Sequence, residues 1–435
     1  MTAVLLIGFI VLMLAGVPVA LAMVIASLGY VMVSGTVPDF VVIHRMYGGI
    51  DSFPLLAVPF FILAGNLMNS AGITNRIYNF ALALVGWLKG GLGHVNIVGS
   101  MIFAGMSGTA IADAAGLGTI EIKAMKDHGY PIEFSIGVTA ASATVGPIIP
   151  PSLPFVIYGM LAGVSIGQLF LAGVIPGIVM GVFMMMTVAW YAHRRNYGRD
   201  ATFSWSVLGS TFADAFLALM TPVILLGGMT FGVFTPTEGA IVASAYALVL
   251  GLFWYRTIGV KMLVKISMDT IETTATVLLI VAAASIFGWL LTVTRVTDAV
   301  AASVLSFTHT PWVFLLLANL LMLFLGCFLE PVAAITLLVP ILVPICKTLG
   351  IDLVHFGLVM VLNLMIGLLH PPLGTVLFVL SRTARLSVER TTMAILPWLV
   401  PLFAALIVCT YVPEIVLWLP KHSAEITGAV SNFFR

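Results

Sequence analysis

From Ala3 to Leu419 the chain is a procession of apolar runs of roughly bilayer length, separated by short polar turns. A helix needs about 20 apolar residues to cross the hydrocarbon of a membrane. Candidate runs are Ala3–Met32, Leu55–Met68, Val95–Ile120, Phe134–Leu161, Leu169–Tyr191 and Phe216–Phe231. Gly239–Tyr255, Val277–Val293, Trp312–Ile345, Phe356–Leu380 and Ile395–Leu419 complete the set. No water-facing coat can be built around so many of them. Only 8% of the 435 residues are charged, where a soluble domain carries about a quarter. The expected fold is an all-α polytopic membrane protein.

Several functions drop out at once. A net charge of +1 gives no basic surface for nucleic acid. Cys327, Cys346 and Cys409 have no CxxC spacing and read as small apolar fillers. HExxH and the phosphate-binding GxxxxGK[ST] loop are both absent, and no polar stretch is long enough to fold as a nucleotide-driven motor. Met1–Val33 lacks a basic start and a cleavage pattern, and its apolar run exceeds a signal peptide's. It reads as a retained membrane helix, bent or interrupted near Gly16-Val17-Pro18.

Two of the runs have the wrong length for one straight crossing. Val95–Ile120 is interrupted by Gly105-Met106-Ser107-Gly108-Thr109 and by Asp113, and Trp312–Ile345 by Gly326-Cys327-Phe328-Leu329-Glu330-Pro331. Glycine, proline and a carboxylate inside an apolar run mark a helix that turns back within the bilayer. Each broken run is followed, at nearly equal intervals, by a second break. Gly146-Pro147-Ile148-Ile149-Pro150-Pro151 follows Ser107, and Gly367-Leu368-Leu369-His370-Pro371-Pro372 follows Gly326. The pairing reads as an internal repeat.

The basic clusters orient that repeat. His193-Arg194-Arg195 with Arg199, Arg256 with Lys261 and Lys265, and Arg382 with Arg385 and Arg390 belong in the cytoplasm. Equivalent helices of the two halves then run in opposite directions, so the repeat is inverted. The hairpin around Ser107 should open from the cytoplasm and the one around Gly326 from outside. Loops before Leu55 carry too few charges to be oriented. Trp289, Trp312 and Trp418 fit interfacial belts, and Gly177/Gly181 fit close helix packing.

Where a helix unwinds, its carbonyls and amides lose their partners, at several kcal/mol each in hydrocarbon. Proline removes one donor and disturbs the preceding turn. The two Gly-x-x-x-Pro-Pro stretches therefore offer carbonyl oxygens suited to a hard, weakly held cation such as sodium. Hairpin tips contribute half-helix ends, whose N-termini favour a carboxylate.

Gly105-Met106-Ser107-Gly108-Thr109-Ala110-Ile111-Ala112-Asp113 and Gly146-Pro147-Ile148-Ile149-Pro150-Pro151-Ser152 resemble the large membrane subunit of tripartite ATP-independent periplasmic (TRAP) transporters. So do Phe234-Thr235-Pro236-Thr237-Glu238 and the stretch from Asn363 through His370-Pro371-Pro372. The resemblance spans essentially the whole chain. It implies a secondary transporter of the elevator type in the bacterial inner membrane. Such a transporter is driven by sodium ions and works with a small membrane subunit and a periplasmic substrate-binding protein. The implied cargo is a small organic acid: a C4-dicarboxylate, a sugar acid or sialic acid.

By the same resemblance one sodium site would use Ser107 with carbonyls of Gly146, Ile149 and Pro151. The other would use Gly326 with Gly367, His370 and Leu373. The family pattern has threonine before the paired prolines, where His370 stands here. A backbone carbonyl ligand survives that change and a hydroxyl ligand does not. Thr109 and Arg382 are candidate substrate contacts, although Arg382 also reads as a cytoplasmic positive-inside residue. Asp113, Glu238 and Glu330 are ionisable groups inside or at the edge of membrane segments, with structural or coupling roles.

The expected division places N-terminal scaffold helices in 1–90 and the first hairpin with its unwound helix in 91–165. Scaffold and connecting helices fill 166–310, the second hairpin and unwound helix 311–385, and a C-terminal scaffold helix 386–435. A channel is one rival, but the polar groups gather at two points instead of lining one helix face. A carrier working without a binding protein is another. An enzyme would need paired carboxylates or a Ser/His/Asp set on facing helices, and the acids are scattered.

Overall fold

The computed structural model describes residues 2–35, 37–371 and 374–433, with Thr2, Ala3, Ser107 and residues 424–433 described by backbone alone. It is helical throughout, with no strand among the described residues. The N-terminal part holds α1 (Thr2–Leu14), α2 (Val19–Ser34), α3 (Phe40–Ile50), α4 (Ala57–Ser70) and α5 (Ile73–Val85). The first hairpin region follows as α6 (Gly91–Ser107), α7 (Ala110–Ala115), α8 (Leu117–Asp127), α9 (Ile132–Ala143) and α10 (Leu153–Ala162). The middle holds α11 (Ile166–Arg195), α12 (Trp205–Thr230), α13 (Pro236–Val249), α14 (Val260–Val293) and α15 (Val296–Phe307). The last third is α16 (Pro311–Gly326), α17 (Pro331–Thr348), α18 (Leu353–Gly367), α19 (Thr375–Ala384), α20 (Val388–Tyr411) and α21 (Pro413–Phe433). Seven helical stretches among the described residues are long and apolar enough to cross a membrane.

Both expected interruptions are present in both halves. A hairpin (α6 to α8, α16 to α17) precedes a helix (α9, α18), a break and a half-helix (α10, α19). The halves exchange these half-helices: α10 packs on α17, and α19 packs on α7. Their long closing helices, α11 and α20, pack on each other. Such reciprocal contacts are what a two-fold relation between halves produces.

Hydrogen bonds fix which way each hairpin opens. The first hairpin is held at both ends by the segment after the basic His193-Arg194-Arg195 cluster. Gly90 N donates to Gly198 O at 2.8 Å, and Asp200 Oδ2 accepts from Leu92 N at 2.9 Å and from Tyr130 Oη at 2.6 Å. Arg390, at the start of α20, bonds Glu133 near the start of α9. At the other end of α20, Tyr411 Oη reaches Trp312 O, where the second hairpin begins. The hairpins therefore open at opposite ends of α20, as the charge pattern predicts.

Buried side chains form one large core through both hairpin regions, α11 and α20. A second core joins α1, α2 and α14, and a third gathers α4, α5, α12 and α13 around Phe103. The long α14 packs on α2, α3 and α4 and also reaches α17.

The interruption expected near Gly16-Val17-Pro18 is present: Gly16 turns at φ +83° and Pro18 starts the return, so Ala3–Met32 is two helices packed on each other. One expected span is corrected. Ile395–Leu419 is divided between α20 and α21. Val412 leaves helical geometry (φ −120°, ψ 76°) ahead of Pro413, as residues before proline tend to do. Helices α3, α5 and α15 lie outside every predicted run. His44, Arg45, Asn75, Arg76 and Asp298 interrupt their apolar faces.

Candidate functional site

The first tip is built from one glycine and one cap. Helix α6 ends at Ser107, whose side chain lies outside the described ones. Gly108 turns at φ +62°, and Thr109 extends and accepts from Ala112 N at 3.3 Å to start α7. A Cβ on Gly108 would stand 2.6 Å from Pro151 O, and one on Gly146 would stand 3.3 Å from Thr109 O. The tip therefore sits directly on the unwound stretch. Among the described residues no hydrogen bond reaches the carbonyl oxygens of Gly146, Ile149 or Pro151. Pro147 O is taken by Ser152 Oγ at 2.5 Å, while Ser152 also caps α10 by accepting from Phe155 N. Three free carbonyls beside a hairpin tip are a donor set that fits a sodium ion.

The second tip follows the same plan with different parts. Gly326 closes α16, and Glu330 caps α17, its Oε2 accepting from Val332 N at 3.0 Å and Ala333 N at 3.3 Å. Gly367 lies against Gly326, with room for no methyl group between them. Here the carbonyls are less free. Gly367 O accepts from His370 N and His370 O accepts from Gly374 N, both at 3.1 Å, which leaves each one lone pair. The half-buried His370 ring packs on Phe403, with centroids 5.7 Å apart. Pro372 and Leu373 lie outside the described residues.

Both tips and both unwound stretches meet at one cavity of about 410 Å³, within the size range of small-molecule sites. Gly108, Thr109 and Pro147 reach it from the first half; Glu330, Pro331 and Leu368 reach it from the second. The remaining wall comes from α4, through Asn66, and from α14, through Thr273. Asn66 is oriented by donating to Thr270 Oγ1 at 3.0 Å. A larger groove of about 560 Å³ between α11 and α20 is lined by Phe183, Trp190 and Pro401. It is mostly apolar, and no charged side chain is among its lining residues.

Of the remaining predicted residues, Thr109 and Glu330 face the cavity, whereas Arg382 is exposed in the last turn of α19 and does not line it. Glu238 forms a capping box with Thr235: Thr235 N donates to Glu238 Oε2 at 2.8 Å, and Glu238 N donates to Thr235 Oγ1. Asp113 is buried in the first turn of α7, away from the cavity lining. Sequence reasoning missed Asn66 on the apolar α4, and Thr270 and Thr273 on the polar first half of α14, where Asp269, Glu272, Thr274 and Thr276 surround them. It also missed two buried polar networks. One joins Asn96, Glu121, Thr139 and Ser142; the other joins Asn319, Asn363 and Thr410. Polar residues at helical spacing in apolar runs were the available signal.

Comparison with known proteins agrees with this architecture. The sialic acid TRAP transporter large permease protein SiaM of Vibrio cholerae is 46% identical over 414 residues, covering 95% of this chain and 97% of that protein. The sialic acid TRAP transporter permease protein SiaT of Haemophilus influenzae is 41% identical, over 95% of this chain and 67% of its own length. The C4-dicarboxylate TRAP transporter large permease protein DctM of Rhodobacter capsulatus is 33% identical, over 97% and 99%. The crystal structure of the Alcanivorax borkumensis YdaH transporter, described as having an unusual topology, superposes with a TM-score of 0.60. It does so at 15% identity and 87% coverage of both chains, a likeness of fold. Residues 6–415 match the tripartite ATP-independent periplasmic transporter, DctM component. This multi-pass membrane protein belongs to that family, as a TRAP transporter large permease.

Proposed function

We propose that the chain carries a small organic acid inward across the bacterial inner membrane, coupled to sodium, by an elevator movement. The hairpins and unwound helices would form the moving part, with α4 and α14 on the fixed side. The observation that carries this reading is the single cavity where both broken regions meet a wall from outside the repeat. An acid bound there would touch moving and fixed parts together, so its exit requires the two to separate.

Glu330 already supplies the first free amides of α17 with an acceptor. A solute carboxylate is therefore expected nearer Thr109 and Asn66, away from that negative charge. Sodium would be held at the first break by Ser107 and the carbonyls of Gly146, Ile149 and Pro151, and at the second by Gly326, Gly367, His370 and Leu373. When bound it would supply positive charge to offset the acid. Relatives named for sialic acid and C4-dicarboxylates support the substrate class. Family membership supports a small membrane subunit and a periplasmic substrate-binding protein as partners.

The test is uptake into proteoliposomes holding this chain, the small subunit and its binding protein. Accumulation should need an inward sodium gradient. Accumulation that ignores sodium would remove the coupling, and full uptake without the binding protein would favour a free-standing carrier.

A further inference from the structure

The groove of about 560 Å³ between α11 and α20 lies apart from the cavity and has no part in the transport reading. Phe183, Met186 and Trp190 line it from α11, and Pro397, Val400 and Pro401 from α20. On each helix these residues recur at three- and four-residue spacing, so they share one face. From Phe183 to Tyr191 the groove follows α11 for about 12 Å, at a rise of roughly 1.5 Å per residue. The compact rings of Pro397 and Pro401, one turn apart, leave a hollow that the longer side chains of α11 wall in. Met186, Trp190 and Val400 are exposed, so the hollow is open along its outer side.

One end of this apolar slot carries charge. Arg194 lies over the Trp190 ring, its Cζ 5.2 Å from the centroid, and Arg195 lies over the Tyr191 ring at 5.4 Å. Both rings line the groove, so two exposed guanidinium groups stand at the end that the basic clusters place in the cytoplasm. Neither arginine is in an ion pair: those among the described residues are Arg76–Asp214 and Arg390–Glu133. Glu133 lies within electrostatic reach of Arg195, yet its carboxylate is already bonded to Arg390. A guanidinium offers a phosphate two parallel N–H donors, and arginines at the cytoplasmic surface meet a leaflet that contains anionic lipid. A free phosphate would fit the arginines and leave the slot empty. A partner's membrane helix would fill the slot but bring a basic cytoplasmic end to two arginines. A phosphate carrying a hydrocarbon chain matches both.

We propose that this groove binds an anionic phospholipid of the cytoplasmic leaflet, one acyl chain lying along α11 and α20 and the phosphate held by Arg194 and Arg195. Stacking on Trp190 and Tyr191 orients the two guanidinium groups before the lipid arrives. The exposed Trp190 indole stands between chain and phosphate, at the depth where tryptophan is favoured in membranes. Lipid binding here does not depend on what the cavity carries.

Photo-crosslinking of the full chain in nanodiscs tests this without any transport assay. The probe is phosphatidylglycerol or phosphatidylcholine with a diazirine on one acyl chain. Peptides of α11 and α20 around Met186 and Val400 should be labelled chiefly by phosphatidylglycerol. Arg194→Gln together with Arg195→Gln should lower that labelling about tenfold. Lys261→Gln together with Lys265→Gln, an exposed basic pair at the start of α14, should leave it unchanged. Val400→Trp, which fills the hollow without altering a charge, should also remove it. Equal labelling by the two lipids, or labelling that survives loss of both arginines, would overturn the proposal. So would a groove that stays unlabelled in the unaltered protein, as it would under a second copy of the chain or another membrane subunit.

Discussion

A methyl group on Gly367 would stand 2.8 Å from both Cα and the carbonyl carbon of Gly326, and 2.9 Å from its carbonyl oxygen. The second tip therefore touches its unwound stretch backbone to backbone, as Gly108 touches Pro151 in the first half. Neither contact tolerates a side chain.

Gly367→Ala should push the tip off the break. Overpacking of this kind costs about 1–3 kcal/mol, and it displaces a carbonyl assigned to sodium. The expected result is a lower thermal midpoint together with a raised sodium requirement for uptake. Gly227→Ala is the control, because a Cβ there meets nothing within 4 Å and alanine favours a helix by about 0.5–1 kcal/mol. Equal behaviour of the two variants would refute the contact's role.

Glu330 joins a structural duty to a place on the cavity wall. Glu330→Gln keeps a side-chain oxygen for the amides of Val332 and Ala333 but removes the negative charge. The loss of folding stability should be small, within about 1 kcal/mol for a weakened cap. If the charge steers the solute toward Thr109, the glutamine variant should lose selectivity for acids over their neutral amides. Uptake competition between an acid and its amide measures this, and an unchanged preference would count against the assignment.

The breaks were legible because Gly108, Gly146, Gly326 and Gly367 interrupt apolar runs that nothing else in the chain interrupts in that pattern. The inversion was legible because Arg194 and Arg195 close α11 whereas Arg390 opens its counterpart α20, so the positive charge falls at opposite ends of equivalent helices. Helices α3 and α5 were not, since Arg45 and Arg76 sit on them and are satisfied by aromatic faces far away in sequence: Arg45 over Trp289 and Arg76 over Tyr255. The Asn96–Glu121–Thr139 network was hidden for the same reason. Its members lie on three elements, and one-residue polar interruptions carry no sign of their partners. The cavity's scaffold wall depends on how α4 and α14 meet the repeat, which no local pattern encodes.

Tyr130 should respond to pH in a defined direction. It lies in the turn between α8 and α9, where burial and its bond to Asp200 push the phenol well above the ordinary tyrosine value. A folded-state value above the unfolded one contributes stability that is complete below the unfolded tyrosine range. That stability is lost as pH climbs toward the folded value. Tyr130→Phe should cost about 0.5–1.5 kcal/mol for the missing hydrogen bond and should remove this part of the alkaline loss. Thermal unfolding of both proteins from neutral to strongly alkaline pH checks it. An identical alkaline decline in the phenylalanine variant would show that Tyr130 contributes none of it.

His370 ends the second break just ahead of Pro371, and its backbone and its ring make different predictions. Its backbone oxygen already accepts from Gly374 N and keeps one lone pair for a cation. Its ring has an unpartnered Nδ1 and packs on Phe403 of α20. If the second sodium site uses the backbone oxygen, His370→Thr should leave the sodium dependence of uptake intact and cost only ring packing, about 0.5–1.5 kcal/mol. If the imidazole is the ligand, the threonine hydroxyl can supply a replacement oxygen and His370→Ala becomes the informative variant. Alanine retains the carbonyl and loses every side-chain donor, so unchanged sodium dependence there assigns the ion to the backbone. A raised sodium requirement in His370→Ala that His370→Thr rescues would assign the site to a side chain instead. That outcome would make the first break, with three free carbonyls, the only backbone-built site of the pair.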